Sequence, residues 1–190
     1  MNYEIDPDTG KPLKFSKSRG SGVFGDDAMK TGIPSEVWRY FLLINRPENQ
    51  DTVFTWSDFI AKNNNELLAN LGNFSNRALK FTVSAFQGVV PEYGSSNFEG
   101  KDAEFATGLL KKFDEYFNLM EAVKLKDGLR IAMAYSSDCN LYFQENKPWE
   151  LAKSDKARCS QVVNTALNAL FLLCVMLEPF MPSFSAKVYE

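Results

Sequence analysis

Glu66-Leu67-Leu68-Ala69-Asn70-Leu71-Gly72-Asn73-Phe74-Ser75-Asn76-Arg77-Ala78-Leu79-Lys80-Phe81-Thr82-Val83-Ser84-Ala85 is the stretch whose reading decides the fold. Within it Leu67, Leu71, Phe74, Ala78, Phe81 and Ala85 recur at alternating steps of four and three, the spacing of one face of an α-helix. A stripe of that length must be buried, so the helix has to pack against partners. Beside it Glu66, Asn70, Asn73, Arg77, Lys80 and Ser84 keep the same spacing and are polar throughout. Thr55-Trp56-Ser57-Asp58 opens this helix, and Gly88 and Pro91 end it.

The partners lie downstream. Phe105, Leu109, Phe113, Tyr116, Met120 and Val123 form a second stripe from about Lys101 to Val123, with balanced charges on the other faces. Leu125, Leu129, Ala132, Ser136, Cys139 and Phe143 form a third after a tight turn, which implies antiparallel packing. Lys147-Pro148-Trp149 interrupts, because proline cannot continue a helix, and a short helix restarts through Ala152. The last long helix, with Cys159, Val163, Ala166, Leu170, Leu173 and Leu177, is apolar on most of its circumference and belongs at the centre of the bundle. Ser183 to Glu190 reads as the first turns of another.

Upstream the character changes. Tyr3 to Phe15 reads as a short β-hairpin around Asp6-Pro7-Asp8-Thr9-Gly10. Ser16 to Thr31 has no sustained period and is expected to be mobile unless a ligand orders it. A helix then starts at Ile33-Pro34-Ser35-Glu36, buries Val37, Tyr40 or Phe41, and Ile44, and stops at Arg46-Pro47. The fold class is therefore mainly α, a helical bundle preceded by a short β-hairpin and a loop.

With 45% hydrophobic and 24% charged residues in 190, the chain has the composition of a soluble globular protein. A net charge of −3 argues against non-specific coating of nucleic acid, which needs a broad cationic surface, so any RNA contact is local. The absence of histidine excludes a Ser-His-Asp triad and removes the commonest metal ligand. Cys139, Cys159 and Cys174 are too widely spaced for a zinc motif and read as buried thiols, so no metal ligands are expected. The N-terminus lacks a secretory pattern, and the most apolar run, Val162 to Leu177, is shorter than the roughly 20 residues a bilayer needs, so no membrane role is expected.

Two clusters can carry chemistry. Lys14-Phe15-Ser16-Lys17-Ser18-Arg19-Gly20 is basic, with nothing acidic between Lys11 and Gly25, and its ammonium groups, hydroxyls and backbone N–H groups can wrap a polyphosphate. Taken alone it fits a solvated linker as well. Asn73 and Arg77, one turn apart, suit the reading of base edges and phosphates, with Asn140, Pro148 and Trp149 further along. An exposed Trp149 would be a stacking platform for an unpaired base. The plainer alternatives are a solvated helix face for Asn73 and Arg77, a core tryptophan, and an Asn140 that bonds a carbonyl.

Read together, these residues resemble a known family. Lys14 to Ser18 resembles the K-M-S-K-S signature of class I aminoacyl-tRNA synthetases. Leu71-Gly72-Asn73-Phe74-Ser75-Asn76-Arg77, with Lys147-Pro148-Trp149, resembles the anticodon-binding domain of the methionyl-tRNA synthetase family. Thr31-Gly32-Ile33-Pro34, Arg46-Pro47-Glu48, Asn64-Asn65-Glu66-Leu67 and Met176-Leu177-Glu178-Pro179-Phe180-Met181-Pro182 add to the likeness, which spans nearly the whole chain. Phe15 in place of the usual methionine, followed by Gly22-Val23-Phe24-Gly25, looks like the eukaryotic cytosolic branch and implies a cytoplasmic location.

The resemblance implies a methionine–tRNA ligase that activates methionine with ATP, magnesium being expected with the nucleotide, and charges methionine tRNA. Lys14 and Lys17 would be its catalytic cations, and Lys14, Ser16, Lys17 and Ser18 its ATP contacts. Asn73, Arg77, Trp149, Asn140 and Pro148 would recognise the CAU anticodon. Residues 1–31 would be the end of the catalytic core, 32–54 a connecting helical segment, and 55–190 the anticodon-binding bundle. The family's H-I-G-H motif cannot lie in a chain without histidine. The expectation is thus a carboxy-proximal fragment, inactive until joined to its nucleotide-binding catalytic domain, with a multi-synthetase assembly as a further candidate partner. The alternatives are a free-standing RNA-binding module and a structural bundle for protein contacts.

Overall fold

In the computed structural model, residues 3–6, 8–48, 51–94 and 98–190 are described. Strands β1 (Tyr3–Ile5) and β2 (Pro12–Lys14) pair antiparallel, with Tyr3 opposite Lys14. Their turn closes with the Gly10 N–H donating to the Asp6 carbonyl at 2.8 Å; Pro7 of the expected turn lies outside the described residues. A third strand, β3 (Val53–Phe54), lies parallel to the other edge of β1, giving the order β2-β1-β3. Two residues carry no readable period, which is why the sequence shows only a hairpin.

Ser16 to Thr31, expected to be mobile, contains a 3₁₀ turn at Lys17–Arg19 and helix α1 (Gly25–Lys30). Helix α2 (Ser35–Ile44) follows. Helix α3 (Trp56–Lys62), capped by Thr55 Oγ1 accepting from the Asp58 N–H at 3.1 Å, runs without a break into helix α4 (Asn73–Phe86). The joining stretch, Asn63–Gly72, is π-helical, so the rod is locally wider than an α-helix. It ends where Gln87 turns left-handed at φ 57°.

Helices α5 (Gly100–Glu121), α6 (Leu125–Asn146), α7 (Pro148–Ser154), α8 (Lys156–Leu177) and α9 (Pro182–Tyr189) complete the bundle. Val123, read as the end of the buried α5 stripe, is exposed at φ 59° and makes the α5–α6 turn instead. Gly128 packs against α5, where a Cβ would stand 2.9 Å from the Sδ of the flexible Met120 side chain. The central helix α8 has the length and hydropathy of a membrane span, but Val162, Val163, Leu170, Leu173 and Leu177 are buried among its neighbours. Each such side chain contributes about 1.5–3 kcal/mol of transfer free energy. Cys139, Cys159 and Cys174 are free and buried, and burial pushes the Cys174 thiol up to about 12.

The apolar residues fall into two clusters. The larger is the bundle core, with Leu71, Phe74, Leu129, Phe143, Leu170 and Leu177 among its members. The smaller joins Trp38, Phe41, Phe54 and Phe59, with Phe15, Val23, Ala28 and Ile33 packed against it. Helix α2 serves both: Tyr40 and Ile44 face the bundle, Trp38 and Phe41 the aromatic cluster. It is further tied by Arg39, whose Nη2 donates to the Pro179 carbonyl at 2.8 Å, and by Tyr40, whose hydroxyl donates to Glu66.

One acid of the charged α5 faces is not solvated. Asp102 is buried, accepting from the Arg158 guanidinium at both oxygens and from the Tyr142 hydroxyl at 3.0 Å. The hydrogen bond from Arg158 is the main reason its carboxyl titrates below the usual carboxylate range. Arg158 Nη2 also donates to Asn146 Oδ1 at 2.7 Å, pinning the end of α6.

Candidate functional site

The basic loop is folded back on itself. Ser16 and Ser21 exchange backbone hydrogen bonds of 2.9 and 3.1 Å, the Gly20 N–H donates to the Lys17 carbonyl at 3.2 Å, and the Ser21 hydroxyl donates to the Lys14 carbonyl at 3.2 Å. Gly20 sits at φ 68°, a conformation glycine adopts without strain. Ser16 and Ser18 share a hydroxyl–hydroxyl bond of 3.1 Å, so both oxygens lie on one side of the turn. Phe15 lies over Gly22, where a Cβ would come within 2.5 Å of its ring, and tilts against Phe24 at 5.9 Å. The loop is held because Phe15, Val23 and Ala28 dock on the aromatic cluster.

Its charges remain available. Among the described residues Lys14, Lys17 and Arg19 form no ion pair, and Lys17 only rests over the Phe24 ring at 5.4 Å. Three uncompensated cations beside two hydroxyls make an anion-binding surface. Among the described residues no group of three or more His, Cys, Asp or Glu could hold a metal ion.

The second site follows the seam between the long α3–α4 helix and α6. Asn73 Nδ2 donates to Asn140 Oδ1 at 3.2 Å, and Asn140 Nδ2 donates to the Asn70 carbonyl at 2.9 Å. One turn on, Arg77 Nη2 donates to Gln144 Oε1 at 2.8 Å. The Arg77 guanidinium carbon lies 5.4 Å from the centre of the Trp149 ring and 5.6 Å from that of Phe143. Two shallow grooves meet at Arg77: one of about 380 Å³ is lined by Asn70, Asn73, Ser137, Asn140 and Gln144, the other of about 530 Å³ by Lys80, Phe81, Ser84, Phe143 and Trp149.

The structure thus brings Asn73, Arg77, Asn140 and Trp149 together. Trp149 is 37% exposed, neither a core residue nor a free one, with part of its ring open to the groove. Pro148 is different: it is buried at the first position of α7, and its carbonyl faces the Cys159 thiol. Its effect is on the direction in which Trp149 leaves the backbone, together with Lys147 at φ 44°.

Sequence reasoning passed over Gln144 and gave Asn70 no role. Both carried a signal. Asn70 precedes Asn73 by three in the polar series, and Gln144 follows Asn140 by four, repeating the Asn73–Arg77 spacing on the facing helix.

The chain is similar to known proteins along most of its length. Residues 9–79 match the family described as tRNA synthetases class I (M), and residues 90–190 match the anticodon binding domain of methionyl tRNA ligase. The chain is 48% identical to the cytoplasmic methionine–tRNA ligase of Arabidopsis thaliana over 93% of its own length and 23% of that protein. It is 46% identical to the cytoplasmic enzyme of Bos taurus over 92% of its length and 20% of that protein. The chain therefore spans about a fifth to a quarter of these relatives. A Mycobacterium tuberculosis methionyl-tRNA synthetase bound by methionyl-adenylate shares the fold, with a TM-score of 0.83 at 24% identity over 93% of this chain and 35% of that one.

Proposed function

The chain belongs to the methionyl-tRNA synthetase family, carrying its anticodon-binding domain, and from that premise we propose that it supplies two parts of a methionine–tRNA ligase: recognition of the CAU anticodon and a cationic loop for ATP. The observation that carries the first part is the Arg77 guanidinium lying over the adjacent Trp149 and Phe143 rings beside the Asn73–Asn140 amide pair. An open tryptophan face stacks an unpaired base, while amides and guanidinium bond its edge. Hydrogen bonds and ring contacts along the seam hold Asn73, Arg77 and Asn140 before RNA arrives, which lowers the ordering cost of binding.

The loop acts on a different partner. When methionine carboxylate attacks the α-phosphate of ATP, negative charge develops on the departing pyrophosphate. Lys14 and Lys17 stabilise that charge, Ser16 and Ser18 donate to phosphate oxygens, and magnesium accompanies the nucleotide. Methionine and the rest of ATP require a nucleotide-binding catalytic domain outside these 190 residues, so this chain alone binds RNA without catalysing the ligation. The cytoplasmic names of its relatives support a cytoplasmic setting.

Titrating the 190-residue chain with an anticodon stem-loop RNA bearing CAU tests the reading. Trp149→Ala should weaken binding by roughly 10- to 100-fold. Affinity that ignores the anticodon sequence would overturn it.

A further inference from the structure

The amides of the seam are arranged so that none can be turned over alone. Oxygen and nitrogen of an asparagine amide are nearly isosteric, so its orientation is decided by its partners. Asn140 Nδ2 lies 2.9 Å from the Asn70 carbonyl oxygen and 3.4 Å from that of Ser136, and only an N–H can meet a carbonyl. That places Asn140 Oδ1 on the other side, where the Asn73 amide approaches to 3.2 Å and must present its Nδ2. Asn70 is fixed likewise: its Nδ2 donates to the Met133 carbonyl at 2.9 Å, which leaves its Oδ1 to accept from Asn140 at 3.1 Å. The Asn70 carbonyl meets α6 at the end of the π-helical stretch, where the bonding pattern returns to that of an α-helix.

One atom is left over. Among the described residues Asn73 Oδ1 accepts from no protein donor, and the residue is exposed at the groove.

We infer that Asn70 and Asn140 are positioning residues that fix the Asn73 amide with its oxygen toward the bound base, so that the groove selects an amine and rejects an oxo group there. This rests on the reading that the groove takes anticodon bases, and it moves Asn140 from base contact to orientation of Asn73. An acceptor at that point accepts from cytosine N4 or adenine N6, and opposes a carbonyl in the same place. CAU contains one base of each kind.

The experiment measures dissociation constants of the 190-residue chain for three anticodon stem-loop RNAs: CAU, UAU, and the same loop with inosine in place of adenine. The last two each replace one amine by an oxo group with little change of size. With the unaltered chain, one of these swaps weakens binding by about tenfold or more. In Asn140→Ala the Asn73 amide is free to turn over, and the ratio of the two constants falls toward one. Asn140→Leu, which fills the same space without an amide, does the same and decides the matter should Asn140→Ala lose its cooperative melting transition. A loss of affinity shared equally by all three RNAs, with the ratio kept, would show a merely structural role and overturn the inference while leaving base reading intact. Absence of any oxo penalty in the unaltered chain would overturn both.

Discussion

The loop at Lys14–Ser21 and the seam at Asn70–Trp149 are both polar, yet they handle their polar groups in opposite ways. In the loop the backbone groups bond each other while the Lys14, Lys17 and Arg19 charges meet no acid among the described residues. In the seam the side chains bond each other: Asn70, Asn73 and Asn140 form one ladder, and Arg77 is shared among Gln144, Phe143 and Trp149. A cluster of like charges without counter-ions attracts negative charge from outside the loop. Among the described residues the ladder is closed except for one acceptor, Asn73 Oδ1, and its geometry is set by the protein's own contacts.

The largest effect that should separate the two regions is that of Lys17→Ala. In a full-length enzyme containing this chain, methionine-dependent ATP–pyrophosphate exchange should fall roughly 10²- to 10³-fold while affinity for the CAU stem-loop stays the same. Equal losses in both assays would erase the distinction. Next comes Asp102→Asn, which leaves the half-buried Arg158 guanidinium short of its charged partner and should cost about 2–3 kcal/mol in denaturant unfolding, the range for losing charged hydrogen bonds.

The pH dependence of that second effect has a definite sign. The Asp102 carboxyl is held below its ordinary value in the folded chain, so its contribution is complete above the ordinary carboxylate pKa and is lost as pH falls through the lower folded value. Acid unfolding curves of Asp102→Asn should therefore lack a step that the parent shows, and a parallel pair of curves would count against the pairing. The smallest effect is that of Gly22→Ala, where φ is 106° and a Cβ would press on Phe15. It should cost about 1–3 kcal/mol and, in the full-length enzyme, lower exchange without altering stem-loop affinity.

The helices of the bundle were legible because burial on one face leaves a 3.6-residue period, and Leu67 to Ala85 shows it without interruption. The π-helical stretch was not, since the apolar stripe keeps the same steps through it. Trp38 escaped notice because α2 is buried on two faces, so its stripe is not confined to one. Asp102 looked like one more solvated acid; Arg158, 56 residues away, and Tyr142, 40 away, make it a core residue. For the site, Asn73, Arg77 and Trp149 stood out through the family motif. The orientation of each amide depends on carbonyls of Met133 and Ser136 that no spacing rule reveals.

The two-sided burial of α2 also bears on how the chain comes apart. Detaching the loop and small sheet from the bundle would strip either Trp38 and Phe41 or Tyr40 and Ile44 of their neighbours, since one ten-residue helix holds both sets. Neither half can melt at leisure while the other stays whole. Heating should take the Lys14–Ser21 loop and the Asn70–Trp149 seam together in one cooperative transition, with calorimetric and van't Hoff enthalpies in agreement.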